Sequence, residues 1–263
     1  MTKKGFSTII TTSIIFAILM IAIILSIWYS YGILESHAEV IEYENGKNDM
    51  LYLSYVIEKI ASDFNASTYL RFNTRVSAPS IIQKYRIFKI RINNQVIIND
   101  TDIPIVLLKS GSLVADQGTE ILRGTNQLII LDPETPLTLT YTTFDERALI
   151  IVDPVRIRVT QLGVFKFYLN NGSTVNLNVV NIDYIRLKIG KMGGSGVITL
   201  YLKNIYLNKT NIFLPLNDFT ITATQTDINN QTVTEIKTIT GEIVDGTLII
   251  FSKSIVEVST VPG

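Results

Sequence analysis

Residues 3–34 read KKGFSTIITTSIIFAILMIAIILSIWYSYGIL. Two lysines and a glycine precede 29 consecutive residues, 6–34, that carry no formal charge. A helix needs about 20 apolar residues to cross the hydrocarbon core of a bilayer, and residues 9–28 supply them. A cleavable secretory signal has an apolar stretch of roughly 7–15 residues closed by a small-residue A-x-A site. This run is longer, and no such site closes it. Trp28, Tyr29 and Tyr31 mark its outer end, where aromatic rings favour the headgroup level. Lys3 and Lys4 mark the inner end, so the positive-inside rule predicts a cytoplasmic N-terminus with everything after Leu34 outside.

The rest of the chain excludes more chemistry than it suggests. Its 263 residues suffice for one large domain or two ordinary ones. The formal net charge is zero, so no global field favours nucleic acid as a partner. Charged residues make up 17% and mean hydropathy is +0.31. Much of that bias sits in the N-terminal run, but the remainder is also rich in Ile, Val, Thr and Asn. Cysteine is absent and His37 is the single histidine. That removes disulfides, zinc clusters and Ser-His-Asp or Cys-His catalysis. No enzyme activity and no cofactor are expected.

Residues 36–64, SHAEVIEYENGKNDMLYLSYVIEKIASDF, predict a helical continuation. Leu53, Val56, Ile57, Ile60 and Phe64 recur at three- and four-residue steps and form one apolar stripe. The stripe serves either packing on the chain's own domain or an interface with another molecule. Asn45-Gly46 is the expected kink or hinge. After Thr68 the texture turns to β. YRIFKIRINNQVIIN (85–99) alternates about Asn93-Asn94, and VFKFYLNNGSTVNLNVVN (164–181) alternates about Asn-Asn-Gly-Ser. YIRLKIGKMGGSGVITLYLKNIYL (184–207) predicts two strands paired across a glycine-rich turn, and Asp245-Gly246 predicts a last hairpin. Prolines 104, 133, 136, 154 and 215 are expected between strands or at their ends. The predicted fold is an N-terminal transmembrane α-helix followed by an all-β, antiparallel, sandwich-like ectodomain. Its divisions are 1–5, 6–34 (the span), 35–67 (a helical extension) and 68–263 (one β domain or two β units).

The junction KKGFSTII resembles the class III signal of archaeal type IV pilins and archaellins: a basic residue, then a small one, a hydrophobic one, and Ser or Ala leading into the apolar helix. Lys4, Gly5, Phe6 and Ser7 hold those places. The resemblance implies cleavage between Gly5 and Phe6 by a prepilin peptidase, on the cytoplasmic side. Gly5 is then expected to admit an extended backbone and to stop the helix from propagating back across the cut. Loss of Lys3 and Lys4 frees the apolar helix to bundle with copies of itself or with other pilins. Residues 1–5 become the leader, and the β domain is displayed for adhesion, towards a surface layer or an external surface. Bacterial pilins carry Glu at the fifth mature position; Ile10 stands there, which favours the archaeal branch. An ectodomain of this size departs from a minimal major pilin. The rival expectation is a permanently anchored single-pass surface protein, archaellum-associated or surface-layer-binding, that never polymerises.

The triplet N-x-[ST] occurs at Asn65, Asn99, Asn171, Asn208 and Asn230, and outward topology makes these glycosylation candidates. Asn99, Asn171 and Asn230 fall in predicted turns. GKMGGSG (190–196) has the wrong order for a phosphate loop and no following helix, so it reads as a flexible hairpin loop. Asp100 with Asp102, and Asp132 with Glu134, are oxygen-rich pairs of the kind that bind calcium, although exposed acidic turns are commoner. No metal site is assigned to them. Arg156 and Arg158 point to one face of a strand, expected to be solvated.

Overall fold

A computed structural model describes residues 3–72, 77–116, 118–169, 172–192 and 198–260. One helix, α1 (Lys3–Ala61), runs unbroken for 59 residues, about 88 Å at 1.5 Å per residue. No proline falls within it, and its three glycines each cost roughly 1 kcal/mol relative to alanine, too little to break so long a helix. The helix therefore passes straight through Gly5 and Asn45-Gly46, where the sequence suggests a stop and a hinge. Gly46 has a packing role instead. A side chain there would collide with Leu108, so the missing Cβ lets a strand press against the helix.

The strands that follow are β1 (Ser67–Phe72), β2 (Ala78–Ile92), β3 (Gln95–Lys109) and β4 (Glu120–Arg123). Next come β5 (Ile129–Ile130), β6 (Leu139–Asp145), β7 (Arg147–Asp153) and β8 (Ile157–Tyr168). The chain closes with β9 (Thr174–Ile189), β10 (Ile198–Leu214), β11 (Phe219–Asp227), β12 (Thr232–Ile239) and β13 (Thr247–Ser259). They form one sandwich of two sheets, ordered β1-β10-β13-β9-β8-β5 and β12-β11-β2-β3-β7-β6-β4. Pairing is mostly antiparallel; β13 with β9 and β5 with β8 are parallel.

The turn chemistry holds at Asn93-Asn94, which joins β2 to β3 with φ of 45° and 69°, the left-handed pair a two-residue hairpin requires. It fails at Asp245-Gly246. There the chain crosses from β12 in one sheet to β13 in the other, and Asp245 accepts the Asn176 N–H at 2.8 Å. A Cβ on Gly246 would strike the Leu214 carbonyl, so glycine serves a close approach at a corner. Nor are β9 and β10 a hairpin, because β13 lies between them; residues 193–197 of the glycine-rich connection lie outside the described residues. Pro104 sits inside β3 rather than beside it. It follows Asp102 (φ 57°) where the β2–β3 register shifts, a bulge being the interior site that tolerates a residue without N–H.

The core has two halves of different construction. In one, the sheets face each other directly through Phe88, Ile90, Ile182, Tyr184, Ile221 and Phe251. In the other, residues 43–61 of α1 lie between them. Tyr43, Met50, Leu53, Ile57 and Ile60 pack on Leu108 and Ile150 of one sheet and on Ile185, Leu200 and Val256 of the other. The apolar stripe thus packs on its own domain; Phe64, beyond the helix end, is exposed. A buried charge cluster ties the sheets together. Asp100 on β3 meets Lys253 at 2.8 Å and Arg186 at 3.4 Å, and accepts the Tyr184 hydroxyl at 3.0 Å. Both Asp100 oxygens are engaged in this way.

The end of α1 is capped by the sheet. Asn204, fully buried at a bulge in β10, donates through Nδ2 to the carbonyls of Ile60 (3.1 Å), Ala61 (3.1 Å) and Asp63 (3.0 Å). Ser254 on β13 donates to the Ala61 carbonyl at 2.6 Å. Ile60 and Asp63 also accept long backbone N–H bonds, from Asp63 and Ala66 at 3.3 Å each, so Asn204 completes the pairing of the helix end, and it would itself leave a buried cavity if truncated. Asn204→Ala is expected to lower unfolding free energy by on the order of 2 kcal/mol. Denaturant titration in detergent, followed by near-ultraviolet circular dichroism, measures it; an unchanged midpoint would show that the cap is dispensable.

Two buried phenols, Tyr43 and Tyr184, and the half-buried Tyr141 set an upper pH limit. Burial pushes the Tyr43 hydroxyl up to about 12, with Glu44 and Glu120 adding to the shift. Burial likewise raises Tyr141 and Tyr184, the latter further through Asp100. Their native pKa values exceed that of an unfolded tyrosine, so the unfolded chain loses protons first. Stability is therefore full below about pH 10 and falls as pH rises through the native values. In an alkaline titration at 295 nm, Tyr43, Tyr141 and Tyr184 are expected to ionise only together with loss of tertiary structure.

Candidate functional site

The two parts of α1 have opposite surroundings. From Ile10 to Leu34 every side chain is exposed, with Phe16 at 66%, Ile27 at 65% and Leu34 at 68%. Glu39, five residues on, is only 7% exposed. A helix apolar all round and bare of protein contacts needs a non-aqueous partner, either lipid or other helices. This segment is long and apolar enough to cross a membrane. Trp28, Tyr29 and Tyr31 form an exposed aromatic collar at its domain end.

No linker separates the bare segment from the domain. Residues 35–38 remain helical, and three acids of α1 then take backbone N–H groups from the sandwich. Glu39 accepts from Leu113 at 2.7 Å, Glu42 from Ser77 at 2.7 Å and Glu58 from Thr138 at 2.8 Å. Hydrogen bonds to a charged acceptor are among the stronger ones. Gly111 makes room for the first, since a Cβ there would overlap the Glu39 carboxylate. Glu58 is also 3.2 Å from Arg123 and 3.7 Å from Arg158. The bare helix is thereby locked to the domain along its buried length.

The junction residues Lys4, Gly5, Phe6 and Ser7 lie in helical backbone, and their side chains lie outside the described part. Four sequon asparagines are exposed: Asn65 and Asn230 in loops with φ of 66° and 59°, Asn99 within β3 and Asn208 within β10. Asn99 is thus in a strand, not the predicted turn, while Asn171 lies outside the described residues. Exposure is a precondition for glycan transfer, and all four meet it.

Arg156 and Arg158 are the clearest correction. Arg156 is 2% exposed, in the segment that crosses from β7 to β8, and Arg158 reaches Glu58 and the Thr135 carbonyl (2.9 Å). Strand alternation alone could not show that a helix occupies the face that Arg158 meets. Asp132 takes the Thr135 hydroxyl at 2.7 Å and the Glu134 N–H at 3.0 Å, bonds that lower its pKa and make it a turn-former. Among the described residues no group of three His, Cys, Asp or Glu side chains is placed to hold a metal ion. Sequence reasoning missed Glu39, Glu42, Glu58 and Asn204, whose partners lie far along the chain.

Fold and site together define a two-sheet β-sandwich built on the end of a helix able to span a membrane. Comparison with models of protein families, with curated proteins and with solved structures returned no match for this chain.

Lysine at the centre of a spanning helix costs roughly 2.5–3.5 kcal/mol. Ile21→Lys together with Ile24→Lys is expected to move the chain from the carbonate-resistant membrane fraction to the soluble one. Ile41→Lys, at a position exposed within the domain part of α1, serves as the control and is expected to leave fractionation unchanged.

Proposed function

We propose that the chain is a non-enzymatic, archaeal type IV pilin-like surface subunit, assembled through its N-terminal helix and displaying its sandwich for adhesion or surface contact. In this reading a prepilin peptidase cuts the Gly5–Phe6 bond from the cytoplasmic side. The helix from Phe6 leaves the bilayer and joins a bundle of like helices, and the domain faces outward.

The observation that carries the reading is the unbroken course of α1 from the Lys4-Gly5-Phe6-Ser7 junction into the centre of the sandwich. A discarded signal has no need to be one rigid body with the domain it precedes. An assembly helix does, because subunits packed through their helices take their register from the helix, and only a stiff connection passes that register to the displayed domain. The bare apolar surface of residues 10–34 suits lipid before processing and neighbouring helices after it, since neither partner demands polar groups. Exposed sequons fit the same outward display.

N-terminal sequencing of the mature protein is expected to begin at Phe6. Gly5→Val is expected to leave residues 1–5 in place and to stop recovery of the chain in sheared filaments. A mature chain beginning at Met1 or Thr2 would instead assign a permanently anchored surface protein.

A further inference from the structure

Among the described residues, the outer half of β8 is a strand edge without a neighbour. On one side β8 pairs with β9 over its whole length, from Ile157↔Tyr184 to Tyr168↔Thr174. On the other it meets β5 only at Ile157 and Arg158. At the hairpin end the Leu169 N–H donates to the Ser173 carbonyl, and the Leu169 carbonyl accepts the Gly172 N–H. Backbone groups alternate in direction along a strand. Those of Phe165 and Phe167 therefore point to β9, as those of Leu169 do, and those of Val164, Lys166 and Tyr168 point away from the sheet. None of these three has a backbone partner on that side among the described residues.

The side chains are equally bare. Leu162, Val164, Phe165 and Tyr168 are all exposed, and they project from both faces of the strand. Lys166, 5.7 Å from the centre of the Tyr168 ring, is the only charged residue between Arg158 and Asp183. The other edge strands carry the usual protection against pairing, which is charge or shortness. β1 has six residues and Arg71, β4 has four with Glu120 and Arg123, and β12 carries Glu235 and Lys237. β8 has neither safeguard over its outer half.

A row of outward N–H and C=O groups flanked by apolar side chains fits an extended strand, since only another backbone offers donors and acceptors at the same repeat. The charge pattern selects the strand, because β8 is complementary to itself. Two antiparallel copies centred on Lys166 would set like charges directly opposite each other, which is unfavourable. Centred on Phe165, they set Lys166 against Val164 and Tyr168 against Leu162. Phe167 then covers Gly163, which has no side chain of its own, an arrangement known to support edge glycines. The same register brings the outward groups of Val164 and Lys166 face to face.

We propose that a second copy of this chain docks on β8, the two β8 strands pairing antiparallel about Phe165 so that two sheets become one. The contact uses no residue of α1, so failure of the filament reading leaves it standing, and the reverse holds too.

The chain contains no cysteine, so introduced thiols report the register directly. The test uses the full chain in detergent micelles. Phe165→Cys is expected to give a disulfide-linked dimer on mild oxidation, because its two copies stand about 4.5 Å apart between Cα atoms. Tyr168→Cys is expected to stay unlinked, its copies being six residues, or about 20 Å, apart along the ladder. Sedimentation equilibrium of the wild type is expected to show a dimer. Phe165→Lys sets two lysines opposite each other at an exposed position, so it is expected to weaken the dimer at least about tenfold with an unchanged monomer melting temperature. A wild type that stays monomeric would overturn the assignment. So would a dimer indifferent to Phe165→Lys, which would place self-association in α1, or cross-linking of Tyr168→Cys as readily as Phe165→Cys.

Discussion

The structure depends on the burial of residues 43–61 of α1 between two sheets. A sandwich normally closes face to face about 10 Å apart, a spacing with no room for a helix. Here only half of the domain closes in that way. The other half is held open by the helix, and every neighbouring feature answers to it. Gly46 admits Leu108 and Gly111 admits Glu39. Asn204 and Ser254 satisfy the carbonyls that the helix end brings into the core. Asn204 and Ser254 are polar for that reason, because a helix end brought into the core buries carbonyls that strand side chains then have to pair.

How much of this was legible in the sequence follows from the range of each interaction. The apolar run, the helical stripe and the Asn93-Asn94 hairpin depend on neighbours within a few residues, so pattern reveals them. The partner of the stripe does not, since the same periodicity serves any apolar surface. Asp245-Gly246 has hairpin chemistry but serves an inter-sheet corner, because the ladder beside β13 was already set by β9 and β10. Arg156 and Arg158 read as surface since alternation reports which side of a strand a residue takes, not what lies there. Glu58, Thr138, Arg123 and Arg158 converge from segments up to 100 residues apart, and no local rule joins them. The proposed Lys4-Gly5-Phe6-Ser7 junction is a run of consecutive residues, so it is a pattern that can be seen in the sequence without the fold.

The two sheets are also joined by charge. Asp100 reaches from β3 to Lys253 and Arg186 on the facing sheet, close to where the helix-filled half gives way to the closed half. These ion pairs, half-buried on the side of Lys253 and Arg186, add less to stability than apolar packing would. Their geometric demand is strict, however, and it specifies one alignment of the sheets among the several that an Ile- and Val-rich interior would accept.

The position of β13 sets an order on how the chain is completed. It is the last strand, yet it lies between β9 and β10, supplies Val256 and Val258 to the helix-bearing core, and gives Ser254 to the end of α1. Until residue 259 has emerged from the ribosome, the first helix made has neither its central neighbour nor its full cap. Contacts of such long sequence separation form late and slowly. The helix-bearing core therefore closes only after β13 has been made, and the segments before it wait, incompletely packed, on a strand that lies far from them in the chain.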